Sequence, residues 1–546
     1  MFSAVPLPST GGGDFLLPIS LVIVVVSPAM KRALLAVMLA ACGSDTKTLP
    51  PTDPAELQAT LDALAAFGQK QPGTPAGQQA AAYVSDRFKA LGLSDVHDEK
   101  FTIPAWSATK TFTVSIDGVE SSPGFDVFEA SGSGTITGPI VDVGSAMDAD
   151  LEGVDLTGKI ALVKRETSFH RSAQLRNVHA HGAAAMLYLS VAPQNLRQVG
   201  SVRFGWNAME PIPAITIGAD DGATIKAALA AQKTVTANID VQATSTPASA
   251  INVVGTIPGE RPEIIVMGAH YDSWFTGSSD NGSGVAELLA VASRRMQRGK
   301  PHYTLVFVAY DGEETGLYGG YDFYRKHKIV ANDPILAVLN FESPSALNPD
   351  IAGLAHSNQP KLDEALQLAH LRQIYALYTG MEIVAQLFGG IIPTDIQGSY
   401  RGGTPTVSTA VTNPYYHTVM DTPDKVDLQL LVDSTDAFDA VIDYLGKLTP
   451  QDLAVVDPQL WSAAVTVTGT SVDITVKNGA GAPGASAKLQ ASVMHDDFIL
   501  DAVVDATADA SGHATLAIPA AAGANRFLHV TAGPTYPLAE TIVALP

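Results

Sequence analysis

Two adjacent glutamates, Glu313 and Glu314, follow an apolar run in the segment YTLVFVAYDGEETGLYGG, which spans residues 303–320. The run has the length and composition of a buried strand, and it stops at Asp311. Because like charges repel, neighbouring carboxylates at the end of a strand indicate either a solvated loop or a site that uses negative charge. The second interpretation requires other ligand-type side chains at the same edge of the same sheet.

Ligand-type residues follow three other apolar runs. The run EIIVMGA leads into His270 and Asp272, and the loop after it carries Asp280. The run ILAVLNF leads into Glu342, and TPTVSTA is followed a few residues later by His417. Because the sites of open parallel sheets lie outside the carboxyl ends of their strands, we expect these side chains to meet at one sheet edge.

The elements that must position these residues alternate along the chain. From Ile251 to about Leu448, apolar strands are separated by amphipathic helices, including one long helix predicted in QPKLDEALQLAHLRQIYALY. Continuous apolar strands that alternate with helices indicate a mainly parallel, doubly wound α/β sheet covered on both faces. Two further helices are predicted in AELQATLDALAAFG and AGQQAAAYVSDRFKALGL, the second ending at Gly92.

The residue types at the predicted edge suit a divalent metal. Two histidines with several carboxylates and no nearby cysteine favour Zn²⁺ or a similar ion in a hydrolytic site. These side chains are too many for one tetrahedral ion, so two metals that share a bridging carboxylate are the economical arrangement. The two cations would also relieve the repulsion between Glu313 and Glu314, since one carboxylate can bind a metal while its neighbour accepts a proton.

The motifs GAHYDSWFTGSSDNGSGVAELL, AYDGEETGLYGG, LNFE and YYHTVMDTPDKVD resemble, in order and spacing, those of the co-catalytic zinc exopeptidases. That family includes glutamate carboxypeptidase, plasma carboxypeptidase and the bacterial leucyl aminopeptidases. The resemblance implies two Zn²⁺ per chain. It implies that His270 and Glu342 bind one zinc, that Glu314 and His417 bind the other, and that Asp280 bridges both.

The same resemblance implies three catalytic roles. Glu313 matches the general base, which takes a proton from a water that bridges the two zinc ions and delivers it to the leaving amine. Asp272 matches the carboxylate that orients the His270 imidazole. Tyr416 matches the hydroxyl that some members use to stabilise the oxyanion.

The chain departs from the family where the substrate pocket is usually shaped. In PTDIQGSYRGGTPTV, Asp395 and Tyr400 align with the family pattern, but Ile396 stands where many members carry histidine. Arg401 is interpreted either as a salt-bridge partner for a substrate carboxylate or as an exposed loop residue. The aromatic residues Tyr415 and Trp274 are interpreted either as pocket lining or as packing.

The remaining segments predict additional domains. The stretch GKIALVKRETSFHRSAQLRNVHAHGAAAMLYLS resembles the protease-associated (PA) domain, and alternating β segments near the end of the chain predict an Ig-like β-sandwich. The predicted organisation consists of an upstream extension, signal and tether at 1–49, a catalytic domain at 50–121 and 245–450, a PA insertion at 122–244 and a sandwich at 460–546.

Composition limits the partners and the cellular location. The formal charge of −22 in 546 residues argues against a nucleic-acid binder, because phosphates would be repelled. The sequence MKRALLAVMLAACGSD has a basic region, a short apolar region and a small-residue junction, as a secretory signal does. Cys42, the chain's one cysteine, lies at this junction as in a bacterial lipobox, which predicts an extracytoplasmic protein, lipid-anchored through Cys42 or secreted.

The most favoured function is therefore a secreted metallo-exopeptidase that acts on peptides, as an aminopeptidase. Three alternatives stay open at this point. The segment HYDSW favours a glutamate-type carboxypeptidase, although no arginine patch for an acidic C-terminus is recognisable. A cyclase that acts on N-terminal glutamine with one zinc shares the fold but would not need His270. A non-enzymatic surface binding protein would have lost ligands, and none is missing.

Overall fold

The structure is a computed structural model that describes residues 49–166, 170–454, 460–520 and 523–545. The predicted lipoprotein signal and Cys42 lie outside the described residues. Among the described residues, every helix is too short or too polar to span a bilayer.

Two helices open the described chain, as the sequence predicts. Helix α1 covers Pro54–Ala65 and begins at Asp53, whose side chain accepts a hydrogen bond from the Ala55 N–H. Helix α2 covers Pro75–Leu91 and ends at Gly92, which has a φ of 88°. The left-handed backbone at this position favours glycine, which explains why the helix ends at the glycine predicted as its C-terminal stop.

Two long antiparallel strands carry the chain out to the PA region and back. They are the first and last of these elements: β1 Ser94–Ile116, β2 Val119–Ser121, β3 Phe125–Val127, β4 Gly134–Asp142, α3 Asp148–Leu151, β5 Ile160–Lys164, α4 Arg171–Ala180, β6 Ala185–Leu189, β7 Ala214–Ile217, α5 Ala219–Ala230 and β8 Val235–Ile257. Strands β4, β5, β6 and β7 pair in that order, with their apolar side chains packed into cores of their own.

The catalytic region follows the alternation predicted from the sequence. Its elements are β9 Arg261–His270, an irregular turn at Ser278–Gly282, α6 Ser283–Arg298, β10 Tyr303–Tyr310, α7 Tyr318–Phe323 with a π-helical continuation at Tyr324–Val330, β11 Ile335–Asn340, β12 Ile351–His356, α8 Pro360–Leu368, α9 Leu371–Ile374, β13 Leu377–Gly380, α10 Met381–Leu387, α11 Gln397–Arg401, β14 Thr406–Thr412, a 3₁₀ turn at Pro423–Lys425, α12 Leu428–Leu445 and α13 Pro450–Leu453.

The central sheet has a parallel core. Its order is β13-β12-β14-β11-β9-β10-β8, in which β14, β11, β9 and β10 pair in parallel and β12 and β8 flank them antiparallel. One face packs against Phe88 of α2, Val285 of α6 and Phe438 of α12. The other packs against Phe323 of α7 and Tyr400 of α11. Helices therefore cover both faces, and the predicted α/β fold class is confirmed.

One predicted helix is wrong in its second half. The segment QPKLDEALQLAHLRQIYALY forms α8 and α9 and then enters strand β13. The break lies at His370, which has a left-handed φ of 62°. Strand β13 pairs with β12 at the edge of the sheet, so long-range pairing overrides the local helical pattern. Strand β12 itself is absent from the sequence-based prediction.

The C-terminal region forms two antiparallel sheets, as predicted for a β-sandwich. One sheet has three strands and the other four: β15 Ser462–Thr468, β16 Ser471–Lys477, β17 Lys488–His495, β18 Ile499–Thr507, β19 His513–Ala517, β20 Phe527–Gly533 and β21 Ala539–Ala544. Phe498 and Phe527 pack with Trp206 of the PA region and Tyr318 of α7 in one aromatic cluster. This cluster joins the sandwich to both other regions.

Candidate metal centre

The residues singled out in the sequence meet at the carboxyl edge of the parallel strands. His270 is the last residue of β9, and Glu313 and Glu314 follow the end of β10. Glu342 lies two residues beyond β11, and His417 follows β14 after a short loop. All the ligand-type side chains of the prediction are buried or nearly so at this edge.

Three of these side chains form a first group. The Nε2 atom of His270 lies 3.3 Å from Oδ1 of Asp280 and 3.2 Å from Oε1 of Glu342. Their ligand atoms all lie within 4.8 Å of one another. An imidazole nitrogen and two carboxylate oxygens at this spacing can surround one metal ion.

A second group shares Asp280 with the first. The Nε2 atom of His417 lies 3.0 Å from Oδ2 of Asp280 and 3.1 Å from Oε2 of Glu314. The two carboxylate oxygens of Asp280 thus face different histidines. A carboxylate that presents one oxygen to each of two groups is the geometry of a bridging ligand.

The backbone orients both imidazoles. The Nδ1 atom of His270 lies 3.0 Å from the carbonyl oxygen of Asp272, and the Nδ1 atom of His417 lies 3.1 Å from the carbonyl oxygen of Val199. A carbonyl only accepts, so in each ring Nδ1 carries the proton and Nε2 keeps its lone pair for a ligand. Asp272 also approaches His270 with its carboxylate, at 3.4 Å.

Asp272 and Asp421 fix two of the three loops that carry predicted acidic ligands. Asp272 accepts hydrogen bonds from the backbone N–H groups of Glu313 and Glu314, each at 3.2 Å. Asp421 accepts from the backbone N–H groups of Ser279 at 2.9 Å and Asp280 at 3.1 Å. Asp421 was not predicted from the sequence, although it lies four residues after His417 in the motif YYHTVMDTPDKVD.

Trp274 belongs to the site. Its indole N–H donates to Oε2 of Glu314 at 2.7 Å, and its ring centroid lies 6.4 Å from that of His417. One oxygen of Glu314 is therefore tied to the protein, while Oε1 has no hydrogen-bond partner. The two interpretations offered for this tryptophan, lining and packing, both understate its contact with a ligand.

Three buried carboxylate oxygens of the site lack a hydrogen-bond donor, which indicates that a cation could bind there. Asp280 Oδ1, Glu314 Oε1 and Glu342 Oε2 are buried without a hydrogen-bond donor. A buried carboxylate oxygen without a donor or cation is costly, by several kcal/mol per ion in this environment. All three belong to the two groups above, so the residues present fit divalent metal ions. The family resemblance favours zinc among these ions.

The electrostatics indicate an excess of negative charge. Burial raises the pKa of Glu342 to about 7, even though the nearby His270 opposes this shift. Burial also raises the pKa of Glu313 well above its ordinary value, again against His270 and with help from Glu342 and Glu314. Burial lowers the pKa of His417, but Glu314 and Asp280 more than offset this and raise it to about 9. A divalent cation would relieve the repulsion among the buried carboxylates.

Glu313 and Tyr416 lie beside the two groups without belonging to them. The Oε2 atom of Glu313 is 3.9 Å from Nε2 of His270. The ring of Tyr416 stacks on that of His417 with centroids 3.8 Å apart. Burial and the charges of Asp280 and Glu314 raise the pKa of Tyr416 well above its ordinary value, so its hydroxyl stays protonated and able to donate.

A buried lysine, Lys70, also lies near the acidic groups and was not predicted. Its ammonium donates to the carbonyl oxygens of Gly68 at 3.2 Å and Thr276 at 2.7 Å. Burial lowers its pKa to about 8, and the charges of Asp421 and Asp272 oppose that shift. Lys70 ties the start of the catalytic region to the loop that leads to Asp280.

The position of Arg401 contradicts both interpretations given for it in the sequence analysis, an exposed loop residue and a partner for a substrate carboxylate. This arginine is buried, and its guanidinium donates to Oε2 of Glu382 at 3.0 Å and to the carbonyl oxygen of Gly390 at 2.8 Å. It is neither exposed nor free for a substrate carboxylate. Asp395 accepts from the Gly320 N–H at 3.1 Å, and Tyr400 packs in the core beneath the sheet.

Parts of the chain are similar to two protein families and to several known proteins. Residues 252–442 match the model of Peptidase family M28, and residues 136–225 match the model of the PA domain. Aminopeptidase YwaD of Bacillus subtilis (strain 168) is 28% identical over 268 residues, which cover 46% of this chain and 53% of that protein. The chain thus spans about half the length of this curated relative.

One further sequence similarity and one similarity to a solved structure were found. The probable glutamate carboxypeptidase LAMP1 of Arabidopsis thaliana is 32% identical over 124 residues, which cover 22% of this chain and 18% of that protein. The solved structure of BSAP, a zinc aminopeptidase from Bacillus subtilis, has a TM-score of 0.57 and 21% identity, over 74% of this chain and 99% of that chain. The resemblance found in the sequence is confirmed as far as these matches extend: residues 252–442 are similar to Peptidase family M28, and residues 136–225, before them, are similar to the PA domain.

Proposed function

We propose that the protein is a zinc-dependent exopeptidase that removes N-terminal residues from peptides, using two metal ions. The observation that carries this proposal is the position of Asp280, whose two carboxylate oxygens face the His270–Glu342 group and the Glu314–His417 group. The five predicted ligand residues all lie in these two groups. The names of the aminopeptidase relatives support the reaction class.

The side chains around the groups support a general-base mechanism. Zinc bound here would supply Lewis acidity, which activates water and polarises the scissile carbonyl. Glu313, adjacent to both groups and a member of neither, accepts the proton of the attacking water and returns it to the leaving nitrogen. The protonated hydroxyl of Tyr416 donates a hydrogen bond to the carbonyl oxygen as negative charge develops there. Asp272 holds the Glu313 backbone throughout.

A glutamate-type carboxypeptidase is the nearest alternative. The partial similarity to the Arabidopsis protein and the HYDSW segment favour it. The pairing of Arg401 with Glu382 argues against it, because this arginine is not available to bind a substrate carboxylate. We therefore place the aminopeptidase first.

Blocked peptides discriminate the two activities. Purified protein, with and without a chelator and after zinc is restored, is assayed on a tripeptide, its N-acetylated form and its C-amidated form. We expect zinc-dependent cleavage that is lost on acetylation and retained on amidation. Loss on amidation alone would establish the carboxypeptidase. Formation of pyroglutamate from N-terminal glutamine, with one zinc per chain, would establish the cyclase, and no turnover of any peptide would favour a binding protein.

We also propose that the protein acts outside the cytoplasm, either lipid-anchored through Cys42 or secreted. The composition of the segment MKRALLAVMLAACGSD supports this location. The proposed partners are peptides, with no nucleic acid, which agrees with the net charge of −22.

A further inference from the structure

One stretch of the PA region, residues 198–203, contacts two of the three loops that supply the second ligand group, those that carry Glu314 and His417. We name this stretch the bridging segment. The PA match covers residues 136–225, so the bridging segment lies within it, more than 100 residues in sequence from either Glu314 or His417. Its contacts with the two loops are hydrogen bonds rather than loose packing.

At one end, the bridging segment holds His417. The N–H of Val199 donates to the carbonyl oxygen of His417 at 3.0 Å, and the His417 ring donates through Nδ1 to the carbonyl oxygen of Val199 at 3.1 Å. The side chain of Gln198 donates to the carbonyl oxygen of Tyr416 at 3.2 Å. The PA region therefore sets the orientation of a predicted metal-binding imidazole.

At the other end, Arg203 holds the glutamate loop. Its Nε–H donates to the carbonyl oxygen of Thr315, the residue after Glu314, at 2.8 Å. The Arg203 side chain is 2% exposed, so this contact lies in a water-poor environment where a lost hydrogen bond is costly. Asp272 binds the N–H groups on the other side of the same loop, so Glu314 is held from both directions.

The PA region keeps the bridging segment rigid. Arg203 forms a buried ion pair with Glu129, whose other carboxylate oxygen accepts from the Ser201 hydroxyl at 2.6 Å. The Nε–H of Arg171 donates to the carbonyl oxygen of Ser201 at 2.8 Å. Between these contacts Gly200 has a φ of 141°, and a Cβ there would lie 1.9 Å from the Arg171 guanidinium. These contacts anchor the segment to the PA core.

We propose that the PA domain positions the Asp280–Glu314–His417 metal group, with Arg203 as a positioning residue. This inference rests on the proposed two-metal centre. Among the described residues, the bridging segment makes no hydrogen bond to the side chains of His270, Asp280 or Glu342. Disturbing it should therefore weaken the second metal group and spare the first. Loss of a residue that supports a ligand in this way usually lowers metal affinity 10- to 100-fold.

Metal titration of the full protein tests the inference. Zinc affinity and stoichiometry are measured by calorimetry on chelator-treated protein, for wild type, Arg203→Met and Arg203→Lys. Lysine keeps a cation opposite Glu129 but lacks the Nε–H that binds Thr315. We expect both variants to retain one tight zinc and to bind the second at least tenfold more weakly, with Arg203→Lys losing less thermal stability than Arg203→Met because its cation still faces Glu129.

Arg325 provides a matched control. It is also a buried arginine with carboxylate partners, Asp322 and Asp497, and the described structure gives it no contact with either ligand group. Arg325→Met should lower stability without separating the two zinc affinities. Equal weakening of both zinc sites by Arg203→Lys, unchanged affinities in both Arg203 variants, or a selective loss in Arg325→Met would each overturn the inference.

The outcomes also separate this inference from the proposed function. If wild type binds two zinc ions but cleaves no peptide, the proposed activity fails and the titration still decides the role of Arg203. If wild type cleaves peptides and the Arg203 variants bind zinc as wild type does, the inference alone fails. Wild type that binds fewer than two zinc ions contradicts both.

Discussion

The backbone N–H of Glu313 donates to Oδ1 of Asp272 at 3.2 Å, at the edge where strands β9 and β10 end side by side. Asp272 thus binds the loop of the proposed base while its carbonyl oxygen accepts from His270. One residue therefore positions both an imidazole and a carboxylate of the proposed site. This arrangement shows how two adjacent glutamates can follow a buried strand: their backbone is fixed by Asp272, and their side chains approach different histidines, Glu313 near His270 and Glu314 near His417.

Glu313→Gln and Glu314→Gln should have different effects, although the residues are neighbours. Glu313→Gln removes the proton acceptor and leaves both ligand groups intact, so we expect kcat to fall at least 1,000-fold, within the usual range for a general base, with metal content unchanged. Glu314→Gln replaces a ligand carboxylate and should lose one metal as well as activity. Metal analysis beside steady-state kinetics checks this, and equal metal loss in both variants would contradict the assignment.

Trp274→Phe should weaken metal binding through a single lost hydrogen bond. Phenylalanine keeps a ring in place but cannot donate to Oε2 of Glu314. We expect about tenfold weaker binding at the second group, since support of a ligand carries effects of this size. Zinc should also change the fluorescence of wild type through Trp274. Trp461→Phe, in the C-terminal sandwich, is the control and should retain that change; its loss in the control and not in Trp274→Phe would refute the prediction.

Glu287→Gln should stabilise the protein more at high pH than at low pH. Glu287 is buried in α6, Ser434 donates to one of its oxygens, and burial raises its pKa to about 8. The unfolded chain ionises near the ordinary value of 4.5, so wild-type stability falls as the pH rises from there towards 8. This loss reaches about 3 kcal/mol at pH 7.

Denaturant unfolding at pH 5 and pH 8 measures this effect. The neutral glutamine cannot ionise, so the variant should match wild type closely at pH 5 and exceed it clearly at pH 8. Exposed Glu120→Gln serves as the control and should resemble wild type at both values. A stability difference for Glu287→Gln that is the same at pH 5 and pH 8 would contradict the predicted titration.

Cys42→Ala should release the protein from membranes. The proposed anchor depends on acylation of this one cysteine, so its removal leaves no thiol to modify. Fractionation of cells that express wild type and variant checks the prediction, with Cys42→Ser as a second variant. Membrane-bound protein in all three cases would argue against the lipobox interpretation.

The ligand residues could be predicted because each follows a recognisable strand. His270, Glu314 and Glu342 lie just beyond apolar runs, and parallel strands bring such positions together. The supporting residues could not be found this way. Lys70, Val199 and Arg203 act from distant segments through backbone carbonyl contacts, which leave no sequence pattern.

Local pattern also misled the prediction where tertiary context decides. The helical spacing after Pro360 continues past His370, yet the helix breaks at His370 and the chain pairs with β12 from Leu377. Arg401 lies in a loop-like sequence, but it is buried and donates a hydrogen bond to Glu382. Glu382 lies on α10, a helix that the sequence did not predict. In both cases the conformation depends on a partner that lies outside the local sequence: β12 in the first case and Glu382 in the second.

In the proposed centre, four strand ends surround two cations that share Asp280. Diffraction from crystals grown with zinc, measured at the zinc absorption edge, locates these cations. We expect two anomalous peaks about 3.5–4 Å apart, one beside His270 and Glu342 and the other beside Glu314 and His417. A single peak, or two peaks that do not both contact Asp280, would contradict it.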